Sequence, residues 1–316
     1  MAGEHGSSQV AAAGDADEWT RSLVTIVRLL GRAVAAWWND GRMRLGASVA
    51  YYTLFSIAPI LIVVTAIAGT IFGAEAVRGE IAGQIAGLVG REGGQAVQAL
   101  LQGAAQRGDN LAAAIVGGVT FVLAACGAFI ELQTALNTIW RVEAKPQNAV
   151  FDFLVDRLRS FGLVVAAGFL MMVSLTASAA LAAFSRWLSG WAPEIPLLLY
   201  GLNFLVSFAG TVVLFGLLFK FLPDVQLRWA DVGTGAVVTA VLFAVGKEAI
   251  GSYLGHSATA SAYGAVGSVL VVLLWVYYAS QILLVGAEFT RLYADRTRGT
   301  VPVSSFARTR RATGTR

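Results

Sequence analysis

The chain has 316 residues, 57% of them hydrophobic and only 13% charged, with a mean hydropathy of +0.68. The charged fraction is about half the ~25% usual in soluble proteins, and several apolar runs are long enough for membrane helices, so composition points to a polytopic helical membrane protein and excludes a β-barrel of short alternating strands. A single cysteine, Cys126, excludes an intramolecular disulfide and a thiolate zinc site, and the net charge of +4 gathers at the two ends, which favours an anionic leaflet over nucleic acid.

Residues 1–18 are Ala, Gly, Ser and acidic residues and read as a disordered tail. They lack the basic and apolar regions of a secretory signal. From Trp19 to Trp37 one helix face carries Leu23, Ile26, Val27, Leu30 and Val34, and the opposite face Arg21, Arg28 and Arg32. That pattern predicts an amphipathic helix lying in a membrane interface or packed on the ends of the bundle.

A first span is predicted over 47–72, with Ser48, Tyr52, Ser56 and Pro59 on one face and a kink at Pro59, which removes a backbone hydrogen bond. Residues 74–108 are too polar to span and read as an external helical hairpin, with Gly79, Gly83 and Gly87 as a small-residue ridge. Further spans are predicted over 111–140, 161–184, 197–222, 230–254 and 266–290. A tight turn at Pro223-Asp224 joins the fourth and fifth, and a loop containing Gly251, Gly255, His256 and Gly264 joins the fifth and sixth. Residues 295–316 form a basic tail, expected to be disordered.

Lys and Arg concentrate before the first span, between the second and third, between the fourth and fifth, and in the tail. The positive-inside bias therefore predicts an all-α fold of six transmembrane helices, with both termini cytoplasmic and one membrane domain over 19–294.

Charged and polar groups inside predicted spans are costly and mark candidate functional positions. Glu131 lies ten residues before Arg141, so ~15 Å inside its helix end, and Thr134 shares its face. Lys247 and Glu248 fall in the far part of the membrane, with an axial offset from Glu131 of ~9 Å for upright helices. In the last span Tyr277, Gln281, Leu284 and Glu288 share a face, and Glu288 lies near the inner interface, where an ion pair with Arg291 suffices. Glu131, Thr134, Lys247, Glu248, Tyr277 and Gln281 are thus the candidate intramembrane polar path. A packed, hydrogen-bonded interface is the alternative reading of the same residues. The sequence contains no Walker loop, His/Asp metal cluster or nucleophile elbow, so neither a catalytic residue nor a cofactor or metal site is expected.

AYYTLFSIAPIL at 50–61, ALNTIWRVE at 135–143, LPDV at 222–225 and LLWVYYASQILLVGAEFTRLYA at 273–294, in this order, resemble the YihY/BrkB family of bacterial inner-membrane proteins. The resemblance covers about 30–300 and implies a six-helix protein of the inner membrane. Members have been labelled a ribonuclease or a serum-resistance virulence factor, and one branch has been tied to lipid or lipopolysaccharide export. No catalytic or binding residue set comes with the resemblance. The function expected is a transporter or lipid exporter (flippase) whose partners are membrane lipids and a lipid or small-molecule substrate. The alternative is a non-transporting scaffold of the envelope; a ribonuclease would lack its metal cluster or histidine pair.

Overall fold

Three helices long and apolar enough to cross a membrane stand among the described residues, with candidate spans at Phe204–Phe221, Trp229–Ile250 and Leu270–Arg298. The structure is a computed structural model that describes residues 24–56, 73, 75, 79, 98, 127–144, 195–256, 259–299, 301–302 and 307–309. The kink at Pro59, the external hairpin over 74–108, the span over 161–184 and the tail over 1–18 lie outside the described residues, apart from isolated positions in the hairpin.

Helix α1 covers 24–39, α2 is described over 43–56 and α3 over 127–140. Strand β1 is Val142–Ala144, and helices α4, α5 and α6 are Ile195–Phe221, Trp229–His256 and Thr259–Arg298. Strand β2, Ala307–Thr309, pairs antiparallel with β1, Glu143 opposite Arg308.

Sequence chemistry sets the ends. Gly41 adopts φ +63° after α1, and the amides of Gly41 and Arg42 close onto the carbonyls of Trp38 and Trp37. A left-handed residue of this kind is the usual helix stop, and glycine adopts it without strain. Pro223 terminates α4, because the residues before a proline are driven out of helical geometry. Asp231 in the first turn of α5 and Arg296 and Arg298 in the last turn of α6 complement the helix dipoles.

Two helix boundaries depart from expectation. The glycine-containing stretch expected as a loop over 251–264 is almost wholly helical, α5 running to His256 and α6 starting at Thr259. Glycine costs ~1 kcal/mol in a helix, less than the several kcal/mol of leaving backbone groups unpaired in hydrocarbon. At the other end α6 continues to Arg298, and β2 lies within the segment expected as a disordered tail. With 40 residues α6 is ~60 Å long, about twice a hydrocarbon core of ~30 Å, so it extends well beyond the bilayer.

Inside the bundle α5 and α6 pack through a reciprocal pair of small-residue notches. A Cβ at Gly235 would overlap Thr290, and one at Gly286 would overlap Thr239. Each threonine is fully buried and donates its hydroxyl to the carbonyl four residues earlier, at 2.7 Å in both cases. Polar oxygens are thereby satisfied within one helix while the backbones approach closely, the arrangement small residues permit between helices in lipid. Around it Leu136, Ile139, Phe219, Val232 and Leu284 form the main apolar core. Gly286→Val is expected to splay α5 from α6 and to destabilise the protein by at least the ~1–3 kcal/mol of an overpacked core. Val285→Ala, at the half-buried neighbouring position, is the control and is expected to shift stability less. Thermal unfolding in detergent compares the two.

Candidate functional site

The polar residues of the sequence reading are organised by α2, which lies between α3 and α6. On one side Gly46 leaves room for Gln281: a Cβ there would collide with the Gln281 amide. Gln281 is buried, accepts a hydrogen bond from Trp37 Nε1 at 2.8 Å and donates Nε2 to the Met43 carbonyl at 3.1 Å. All of these partners come from α1 and the start of α2. On the other side Ser48 Oγ donates to Glu131 Oε1 and also lies 3.1 Å from the Leu45 carbonyl. One turn further along, Tyr52 packs against Gly127, where a Cβ would stand 3.3 Å from its ring.

Gln281 faces Gly46, Glu131 bonds Ser48, and Tyr278 of α6 packs at Gly246 beside Lys247. Glu131 and Gln281 are not joined to each other; each binds α2. Lys247 and Glu248 pair with one another at 3.9 Å, their side chains 41% and 82% exposed. Thr134 is exposed, and its carbonyl accepts a hydrogen bond from Thr138 Oγ1 at 2.8 Å. Tyr277 is half-buried, and Pro59 lies outside the described residues.

Glu288, expected near the inner interface with Arg291 as its partner, makes that pair, and it is fully buried at the centre of a chain of alternating charge. Arg42 Nη1 binds Glu288 Oε2, and Arg291 Nη2 lies 2.5 Å from Oε1. Arg42 also holds Asp40 at 2.7 Å, and Arg291 holds Asp295 at 3.2 Å. Burial lowers the Arg42 pKa from its ordinary value, against the raising charge and hydrogen bond of Asp40; an arginine has ample margin to remain charged at neutral pH. The Glu288–Arg291 spacing of three was legible as a helix pair. The contact with Arg42, 246 residues away in sequence, was not.

Two further clasps hold the same end of the bundle. Asn137 Nδ2 donates to Asp224 Oδ2 at 2.8 Å, and the Asp224 amide donates to Asn137 Oδ1 at 2.9 Å, locking α3 to the α4–α5 turn. Arg298 Nη2 lies 2.7 Å from the buried Asp231, tying the end of α6 to the start of α5. Deeper in the bundle Trp275 meets Phe243 edge-on at 6.0 Å, and its buried Nε1 has no hydrogen-bond partner among the described residues. Among the described residues no group of three His, Cys, Asp or Glu side chains is placed to hold a metal ion.

Removing one member of a buried ion pair leaves an uncompensated charge and costs ~3–5 kcal/mol. Glu288→Gln is expected to lower the stability of the detergent-solubilised protein by about that amount. Asp295→Asn, which touches a partly exposed carboxylate, costs under ~1 kcal/mol. Equal shifts in the two unfolding midpoints would show that Glu288 is not the anchor.

Comparison with known proteins adds the family. The profile of the family "Virulence factor BrkB" matches residues 33–308. The chain is similar to a UPF0761 membrane protein of Ralstonia nicotianae, 28% identical over 79% of this chain and 55% of the relative. It is similar to one of Psychrobacter sp. strain PRwf-1, 26% identical over 80% of this chain and 45% of the relative. A UPF0761 membrane protein of Vibrio vulnificus strain YJ016 is 28% identical over 84% of this chain and 82% of the relative. The chain spans about half the length of the first two relatives. No solved structure matches it.

Proposed function

The chain belongs to the BrkB virulence-factor family, and we propose that it is a six-span transporter or lipid exporter of the bacterial inner membrane, with both termini cytoplasmic and a polar path that passes Glu131. The topology rests on the positive-inside bias and on the gathering of Arg42, Arg291 and Arg298 at one end of the described bundle.

The observation that carries the path is the setting of Glu131. Its carboxylate is half-buried within a helix, and its one described partner is the hydroxyl of Ser48. An ionised carboxylate offers about four acceptor positions, and a serine hydroxyl fills one of them. Among the described residues the remainder have no partner, which leaves them for water or for the polar head of a passing substrate. Glu288, by contrast, already holds two guanidinium groups and is spent on holding helices together. The exposed pair of Lys247 and Glu248 and the half-buried Tyr277 are further polar groups within the spans.

The test is transport of labelled phospholipid by purified protein in liposomes. Glu131→Gln keeps the shape and a partner for Ser48 but removes the charge, and a drop in rate of about tenfold, ~1.4 kcal/mol, is expected with little change in thermal stability. An unchanged rate assigns the path elsewhere; absence of transport by the wild-type protein removes the transporter reading in favour of a scaffold.

Trp275 supplies an independent check. A buried donor without a partner costs ~1–3 kcal/mol, so Trp275→Phe removes a penalty if the indole N–H has no role. If that donor meets substrate, Trp275→Phe slows transport without lowering the unfolding temperature. A lower unfolding temperature with full transport makes Trp275 a packing residue alone.

A further inference from the structure

Helix α1 has two apolar faces, and only one is used by the described bundle. Leu29 and Ala33 are buried against Phe289 of α6, with Ile26, Leu30, Val238, Leu292 and Tyr293 packed around them. Trp37 completes this face through its bond to Gln281. On the outer side Val24, Val27, Val34 and Trp38 follow one line at helical spacing and stay exposed, Val27 at 67% and Trp38 at 65%. Arg28 and Arg32, both exposed, run beside that line.

The height of α1 decides what covers the outer face. Its inner face packs on Val238, Phe289, Leu292 and Tyr293, which belong to the candidate spans of α5 and α6. These residues lie near the end of the bundle where the ion-paired arginines gather. An apolar line at that height is level with the boundary between acyl chains and headgroups, and a parallel line of arginines is level with phosphates. Scattered surface valines need no explanation, but four large apolar residues in register beside two arginines form a single amphipathic surface continuous with the spans.

We propose that the outer face of α1 is a docking surface for anionic phospholipid. Val24, Val27, Val34 and Trp38 enter the boundary layer, and Arg28 and Arg32 bind headgroup phosphates. The surface is separate from the transport path, because both arginines lie on the side of α1 turned away from Gln281 and Glu288. Each arginine near an anionic surface contributes ~1 kcal/mol, about fivefold in local lipid preference, so two give a preference on the order of tenfold or more.

The full-length protein in nanodiscs provides the test. Phosphatidylglycerol and phosphatidylcholine are mixed in equal amounts, with brominated acyl chains on one or the other, and the Trp38 signal is the difference between the wild type and Trp38→Phe. Trp38 emission is expected to be quenched more strongly by brominated phosphatidylglycerol than by brominated phosphatidylcholine. Arg28→Gln/Arg32→Gln is expected to equalise the two, and Arg28→Lys/Arg32→Lys to keep the preference. Three outcomes overturn the proposal: no quenching of Trp38 by either lipid, equal quenching in the wild type, or a preference untouched by the glutamine variant. Trp38 shielded from both lipids in discs that hold two copies would assign the face to a second copy of the chain instead.

Discussion

A carboxylate with no exposed surface, set in a helix that crosses a membrane, has to be neutralised by something. Glu288 is neutralised twice, by Arg42 and by Arg291. Arg291 is on the same helix and adds nothing to the fold beyond a turn of α6. Arg42 is in the turn between α1 and α2, and its bond to Glu288 fixes where α2 begins along α6. Gly46 then falls beside Gln281, Ser48 beside Glu131 and Tyr52 beside Gly127. The bond of Ser48 to Glu131 thus follows from a contact about two turns earlier, at the start of the same helix. An ion pair buried this way is weak evidence of stability, since its desolvation cost is large. Its value here is register: a slip of one turn along α6 would part Arg42 from Glu288.

The bundle uses different chemistry between different helices. The α1–α2 turn is joined to α6, α3 to the α4–α5 turn, and the end of α6 to α5 by charge and amide clasps: Arg42 with Glu288, Asn137 with Asp224, and Arg298 with Asp231. On the same turn of α6 as Glu288, Gly286 and Thr290 join it to α5 through glycine notches filled with threonine methyls and hydroxyls. Lipid offers helices no hydrophobic reason to associate, so close packing and locally satisfied hydroxyls hold the α5–α6 pair. Three of the sequence stretches that carry the family resemblance contribute residues to these contacts. ALNTIWRVE supplies Asn137, LPDV supplies Asp224, and the last helix supplies Gln281, Glu288 and Arg291.

What could be read from the sequence follows the same division. Helices α4 and α5 are found within about two residues of their predicted ends, because a long apolar run in lipid has no alternative to helix. The side-chain partners were not legible, since hydropathy reports depth along one helix and says nothing about its neighbours. The distance of Glu288 from its helix end and the spacing to Arg291 predict one ion pair, which is present; the second partner, Arg42, is far away in the chain. Glu131 reads as an interior charge, but its bond to Ser48 depends on the α2–α3 register. Strand β2 is not legible for a related reason: three residues carry no period long enough to separate a strand from a basic tail.

Glu131 and Glu288 are the same chemical group in the same bundle, and their surroundings divide their work. Glu288 has its lone pairs claimed by two guanidinium groups, each of which is held in turn by Asp40 or Asp295. Loosening any member of that chain exposes another, so the group is fixed. Glu131 is half-buried and meets a neutral hydroxyl that can rotate away without leaving a charge behind. A mobile polar solute can compete with one serine hydroxyl far more easily than with two arginines. On the proposed reading, the carboxylate held by a single neutral hydroxyl among the described residues is the one a substrate would meet.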